Sequence, residues 1–233
     1  ANDGSPSSWV DVVQQLRELA ASAKAGGNDN KTVVLQPVTK QEVDLLQREG
    51  VNVTEAFSHS VDMFAVRHAL NRHSDPKIEK SRGQIAITED DVAQINAVVA
   101  APTAYVLGGK TPRNQDVVGT IKRLDDGTIL YLEEVRSGRK TLAMTSMRKY
   151  PGTTDFDTIA NSVLPSNARG DAGDVRIVYP DGQQSQDPAN PDIRALRKRF
   201  GIRAGRSHAQ TQVNKCHPVF DNPIYRSPYE RHT

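Results

Sequence analysis

The run GTIKRLDDGTILYLEEVRSGRKTLAMTSMRKY, residues 119–150, decides the fold. Stretches rich in β-branched, aromatic and long apolar side chains are cut twice, by Asp125-Asp126-Gly127 and by Ser137-Gly138. Glycine-containing breaks of this length between such stretches punctuate hairpins. The pattern predicts strands over residues 117–124, 128–136 and 139–147, with residues 105–107 opening the antiparallel run. A meander has an apolar face to hide, and the chain upstream supplies the cover.

Ser7 or Ser8 caps a helix from Trp9, where Val12, Val13, Leu16, Leu19, Ala20 and Ala23 follow at helical spacing until the glycines at 26 and 27 stop it. Residues 32–35 are extended. Thr39 and Glu42 then form a capping box that opens a second helix through Val43, Leu45 and Leu46, with Gly50 as its stop. Residues 62–72 read as a third helix, with His59 an exposed residue ahead of it. Val61, Phe64, Ala65, His68 and Ala69 recur at helical spacing, which sets His68 on an apolar stripe. His73 lies about 140° further round, on another face or at the helix end. Pro76 breaks the pattern, so residues 74–83 read as a loop. A short strand over residues 84–87 and a helix capped by Thr88, running through Val92, Ile95, Val98 and Val99, complete this half. Helices first and a meander second make the chain α+β, with N-terminal helices packed on an antiparallel meander sheet.

Beyond Tyr150 the periodicity weakens. Residues 156–163 suit a short helix and 175–179 a strand, 181–191 read as a polar linker, and 193–200 as a short basic helix. Residues 208–233 carry three prolines and no usable period, which makes them an extended tail. The chain thus divides into an N-terminal helical segment (1–34), an α+β domain (35–150), a basic extension (151–207) and the tail (208–233).

Thirty Lys and Arg against 28 Asp and Glu leave a net charge of +2, so total charge does not mark a polyanion binder. The basic residues nevertheless crowd into 113–149 and 194–206. The single cysteine, Cys216, excludes an internal disulfide framework, and no apolar run is long enough to span a membrane. The opening residues ANDGSPSS carry no secretory apolar segment. His68 and His73 do not face one ion from a single helix, and there is no HExxH, so no metal or cofactor site is expected. Gly109-Lys110-Thr111 resembles the end of a phosphate-binding loop, but Ala104 stands where the first glycine is needed and Pro112 follows.

What remains suits phosphodiester chemistry without a metal. Cleavage of RNA needs a base for the 2′-hydroxyl proton, a cation for the charge developing on phosphorus, and an acid for the leaving 5′-oxygen. His68 and His73 are the candidate proton-transfer groups. Glu134 and Arg136 are two apart on a strand and share a face, as a phosphate-handling pair or as a rung of an ion-pair ladder. Whether Lys122 shares that face depends on the length of the turn at 125–127. Ser146 offers a hydroxyl, and Lys149 and Lys110 offer charge for substrate phosphates.

The segments HSVDMFAVRHALNRHSD (59–75), RGQIAITEDDV (82–92), YVLGGK (105–110) and IKRLDDGTILYLEEVRSGRKTLAMTSMRK (121–149) together resemble the phage-borne barnase/EndoU/colicin/RelE-like nuclease domains. These domains stand at the C-termini of phage head proteins and of polymorphic toxins. The resemblance spans about residues 35–150 and implies a metal-independent endoribonuclease acting on RNA such as tRNA. Its histidine position falls on His68, with His73 second, the carboxylate and base on Glu134 and Arg136, the hydroxyl on Ser146, and the closing lysine on Lys149. It also implies delivery into a bacterial cytoplasm or carriage in a virion. The tail could then meet an immunity protein or virion subunits. Two rival readings stand beside it: a virion structural or ejected protein whose nuclease-like domain is an interaction module, and an ADP-ribosyltransferase toxin using Glu133 or Glu134.

Overall fold

The computed structural model describes residues 8–27, 30–163 and 175–180. The linker at 181–191, the basic helix at 193–200 and the tail at 208–233 lie outside them. The protein is α+β. Helix α1 (Trp9–Lys24) starts at the Ser8 cap, where Ser8 and Asp11 close a reciprocal capping box. Strand β1 (Thr32–Pro37) leads to α2 (Lys40–Arg48), capped by Thr39 as its sequence requires. Strand β2 (Ser58–Asp62) then runs directly into α3 (Met63–His73), and the Asp62 carboxylate accepts the Ala65 N–H at 2.7 Å. Three short helices follow, α4 (Pro76–Ser81), α5 (Glu89–Ala93) and α6 (Ile95–Ala100). The meander comprises β3 (Ala104–Lys110), β4 (Asp116–Leu124), β5 (Gly127–Arg136) and β6 (Thr141–Tyr150), and α7 (Phe156–Asn161) and β7 (Arg176–Val178) close the description.

The strands form one seven-stranded sheet in the order β1-β2-β6-β5-β4-β3-β7. All neighbours are antiparallel except β2 and β6, which pair in parallel through Ser58–Thr141, His59–Leu142 and Ser60–Ala143. One face carries Val33, Val61, Ile129, Tyr131, Met144 and Met147 into a core shared with α1, α3, α5 and α6. At the other end of the strands the same face packs Val118, Val135 and Leu142 against α2. The second face carries Val106, Ile121, Leu130, Leu132 and Tyr150 against α7.

Several sequence expectations are corrected. Residues 58–61 are strand, not the approach to a helix, because they dock between β1 and β6. Residues 74–83 are not a loop throughout: Pro76 ends α3 and starts α4, where a first-turn proline lacks only an N–H that has no helical partner anyway, and Asp75 caps the next amides. The strand expected at 84–87 is reduced to a single bridge between Ile85 and Lys149. On α3 the buried stripe is Met63, Ala65, Val66, Ala69 and Leu70, while Phe64 is 59% exposed and His68 only half-buried.

The β4–β5 turn fixes the register that matters for the site. Leu124 pairs with Gly127 across a two-residue turn, and Gly127 adopts φ +150°. A Cβ there would meet the Tyr150 carbonyl oxygen at 2.7 Å. Gly127→Ala is expected to cost about 1–3 kcal/mol in urea unfolding, from backbone strain and overpacking together; an unchanged midpoint would show that the turn relaxes.

Candidate active site

Register places four candidate side chains on the second sheet face. Arg148 pairs with Leu130, Ser146 with Leu132, Ala143 with Glu134, and Thr141 with Arg136. Paired residues share a face, so Arg148, Ser146, Glu134 and Arg136 all lie opposite the helical layer. Thr145 is the extra residue of a bulge at this point, and its hydroxyl donates to the Leu132 carbonyl at 3.2 Å. Arg136 Nε donates to Glu134 Oε1 at 2.6 Å, and its guanidinium also lies 3.9 Å from Asp62, the cap of α3. Both members of the Glu134–Arg136 pair stay partly exposed, at 16% and 30%.

Helix α3 packs against β6, and it links the two ends of this region. It begins at Asp62, beside Arg136, and ends at His73. His73 Nδ1 lies 3.2 Å from Glu79 Oε2 of α4, and Arg82 lies 2.7 Å from the other oxygen of Glu79. Glu79 itself is fully buried. Burial lowers the His73 pKa; Glu79 opposes that shift, and the charges of Arg148 and Arg82 add to it. The result is a neutral imidazole at working pH, with Nδ1–H donated to Glu79. Among the described residues its Nε2 makes no hydrogen bond, which leaves a lone pair to accept a proton. Arg148 reaches the Ser162 carbonyl at 2.7 Å, just past α7. A carboxylate-oriented neutral histidine within the field of two arginines can deprotonate a hydroxyl next to a phosphate.

The other expected site residues fall elsewhere. His68 stacks on Phe64 with ring centroids 6.4 Å apart and an interplanar angle of 20°, and burial followed by Arg72 lowers its pKa. The two-residue turn pairs Lys122 with Ile129, which puts it on the face opposite Glu134, where its ammonium donates to the Ala101 carbonyl. Lys149 also faces the helical layer. It is 4% exposed and is held by Asp91 at 2.7 Å and Asp126 at 2.5 Å. Burial opposes its charge, but the two carboxylates outweigh it and raise the pKa. Lys110 pairs with Asp116 at the exposed end of β3. Structure therefore gathers Glu134, Arg136 and Ser146 on one face with His73 at its end, and sets Lys122 and Lys149 on the other.

Sequence reading missed a fully buried charged group. His59, expected to be exposed, has no exposed surface: Nδ1 contacts Glu133 at 3.0 Å and Nε2 contacts Glu42 at 3.3 Å. With a carboxylate on each ring nitrogen the imidazole must carry both protons. Burial opposes that charge, but Glu133 and then Glu42 overcome it and hold the pKa at about 10. Glu133, fully buried in this pair, is withdrawn from any role as a solvent-facing catalytic glutamate.

A family model described as phage-Barnase-EndoU-ColicinE5/D-RelE like nuclease3 matches residues 36–157, just over half of the chain. No curated protein and no solved structure matches it.

Proposed function

The chain belongs to the phage-Barnase-EndoU-ColicinE5/D-RelE like nuclease3 family, and on that premise we propose that it is a metal-independent endoribonuclease cleaving RNA by transesterification to a 2′,3′-cyclic phosphate end. Membership supports a nuclease function and makes nucleic acid the substrate class. The finer reading is carried by one observation: a neutral, Glu79-oriented His73 beside Arg148, at the end of a sheet face that also holds Ser146, Glu134 and Arg136.

In this reading His73 Nε2 takes the 2′-hydroxyl proton. The oxygen attacks the adjacent phosphorus, and the bond to the 5′-oxygen breaks. Arg148 stabilises the charge spread over the phosphoryl oxygens, as a planar guanidinium does best. Ser146 positions the phosphate, and Arg136, braced by Glu134, holds the neighbouring one. The leaving 5′-oxygen takes its proton from solvent water, and the proton that His73 has taken returns to solvent. The RNA target is a cellular RNA such as tRNA. An immunity protein or virion subunits would meet the chain through residues 208–233.

Among the described residues no group of three or more His, Cys, Asp and Glu side chains is placed to hold a metal ion. The test is therefore run in excess EDTA, with total cellular RNA and with a duplex DNA control. Discrete RNA fragments ending in cyclic phosphate are expected from the parent, and about 10²-fold fewer from Arg136→Ala if it binds a phosphate in the transition state. Cleavage that appears only when a divalent cation is restored, or only with DNA, would overturn this assignment while leaving the chain a nuclease.

A further inference from the structure

Phe64 is an anomaly of the fold. It sits two residues into α3, and 59% of it faces solvent, whereas among the described residues the other large rings except Trp9 are buried or partly buried. It lies one helical turn before His68 and stacks nearly parallel to that imidazole. Arg72 comes one turn later, and its charge is felt at His68. Phe64, His68 and Arg72 therefore form a single row along α3, at i, i+4 and i+8. That row starts beside Asp62 and Arg136 and runs towards His73, so it follows the helix that joins the two ends of the candidate site.

We infer that Phe64 is the stacking platform for an unpaired nucleobase of the substrate strand, a reading that rests on the nuclease assignment above. An exposed aromatic face backed by a second ring, with Arg72 further along the same row, fits a base better than an aliphatic partner. Every base has a π-face, and the phosphates that flank it need cations at such a spacing. The helix spans about 16 Å at 1.5 Å per residue, which is the reach of a few nucleotides rather than one. A base splayed onto Phe64 would anchor the strand while the scissile phosphate lies towards His73. Bases in a duplex are stacked on each other and offer no face to the ring, so this platform selects single-stranded substrate.

The test is a binding measurement in the full chain carrying His73→Ala, with a labelled single-stranded RNA oligonucleotide and the same sequence as a duplex. Added Phe64→Ala is expected to weaken single-strand binding about 5- to 100-fold, since stacking contributes about 1–3 kcal/mol per base. Phe64→Trp is expected to restore it, and duplex affinity should not move with either change. Equal weakening of single strand and duplex, no weakening, or a Trp variant as poor as Ala would each overturn the inference while leaving the nuclease reading intact. If the His73→Ala chain with Phe64 in place bound neither form and the parent cleaved no RNA, the nuclease reading itself would fall and this inference with it.

Discussion

If the proposed mechanism holds, His73→Ala should lower the rate of RNA cleavage by about 10²–10⁴-fold, the usual worth of a positioned proton-transfer group, without unfolding the protein. The side chain sits at the last position of α3, partly exposed at 12%, so truncation opens no deep cavity. The pH profile makes the expectation specific. A base must be neutral, and burial together with Arg148 and Arg82 lowers the His73 pKa, with Glu79 opposing them. The parent should therefore hold its kcat/KM through neutral pH and lose it only below the ordinary histidine value of about 6.5. Glu79 is a positioning residue that raises the His73 pKa from a depressed starting point. Glu79→Gln should shift the acid limb still lower and reduce the plateau, a pair of effects that loss of a purely structural brace would not produce. Full activity in His73→Ala, with His68→Ala inactive, would move the base one and a half turns back along the helix and end the role assigned to Glu79 and Arg148.

What the sequence shows readily is whatever is decided within a few residues. Thr39 and Thr88 cap their helices because their hydroxyls reach amides three residues on, and the Asp125–Gly127 turn falls between two β-rich runs. The position of β2 is decided elsewhere. Residues 58–62 form only a five-residue stretch, and their partner β6 lies some eighty residues downstream, so local pattern assigns them to the helix that follows. The phase of α3 was ambiguous for a related reason. Val61, Phe64 and His68 make one apolar row, but Met63, Val66 and Leu70 make another at equal spacing, and packing against α1 and β6 selects the second.

The register at β4–β5 could have been settled by turn chemistry, and with it the side on which Lys122 falls. Buried carboxylates carry a further signal. On β5 the inward alternation Ile129, Tyr131, Glu133, Val135 contains a carboxylate, and α2 buries Glu42 among Val43, Leu45 and Leu46. Inward carboxylates need a buried donor, and His59, between the second and third helices, can supply one. His73 and Glu79 cannot be joined in this way, because Pro76 hides α4 from the local pattern.

The largest stability effect is expected at that buried histidine. His59→Ala leaves Glu42 and Glu133 facing each other in a dry site, where removal of one partner from a buried ion pair costs about 3–5 kcal/mol. That is a large share of the roughly 5–15 kcal/mol that holds a domain together. Burial and nearby carboxylates push the Tyr105 and Tyr131 pKa values upward, so these phenols stay neutral and supply no charge to replace the imidazolium. The imidazolium ties β2 to β5 and α2, so its loss loosens the sheet where β2 joins it in parallel. The sign with pH follows from linkage. His59 binds its proton more tightly folded, at about 10, than unfolded. Its contribution is complete below the unfolded value of about 6.5 and is lost as pH rises towards the folded one. Urea unfolding should therefore show a gap between parent and His59→Ala that is widest near pH 6 and narrows by about pH 9.5, before most lysines titrate. Glu133→Gln, which keeps the shape and removes one charge, should fall between the two. A gap under about 1 kcal/mol, or one that widens with alkali, would show that the carboxylates take up protons of their own and that the imidazolium does not hold the strands together.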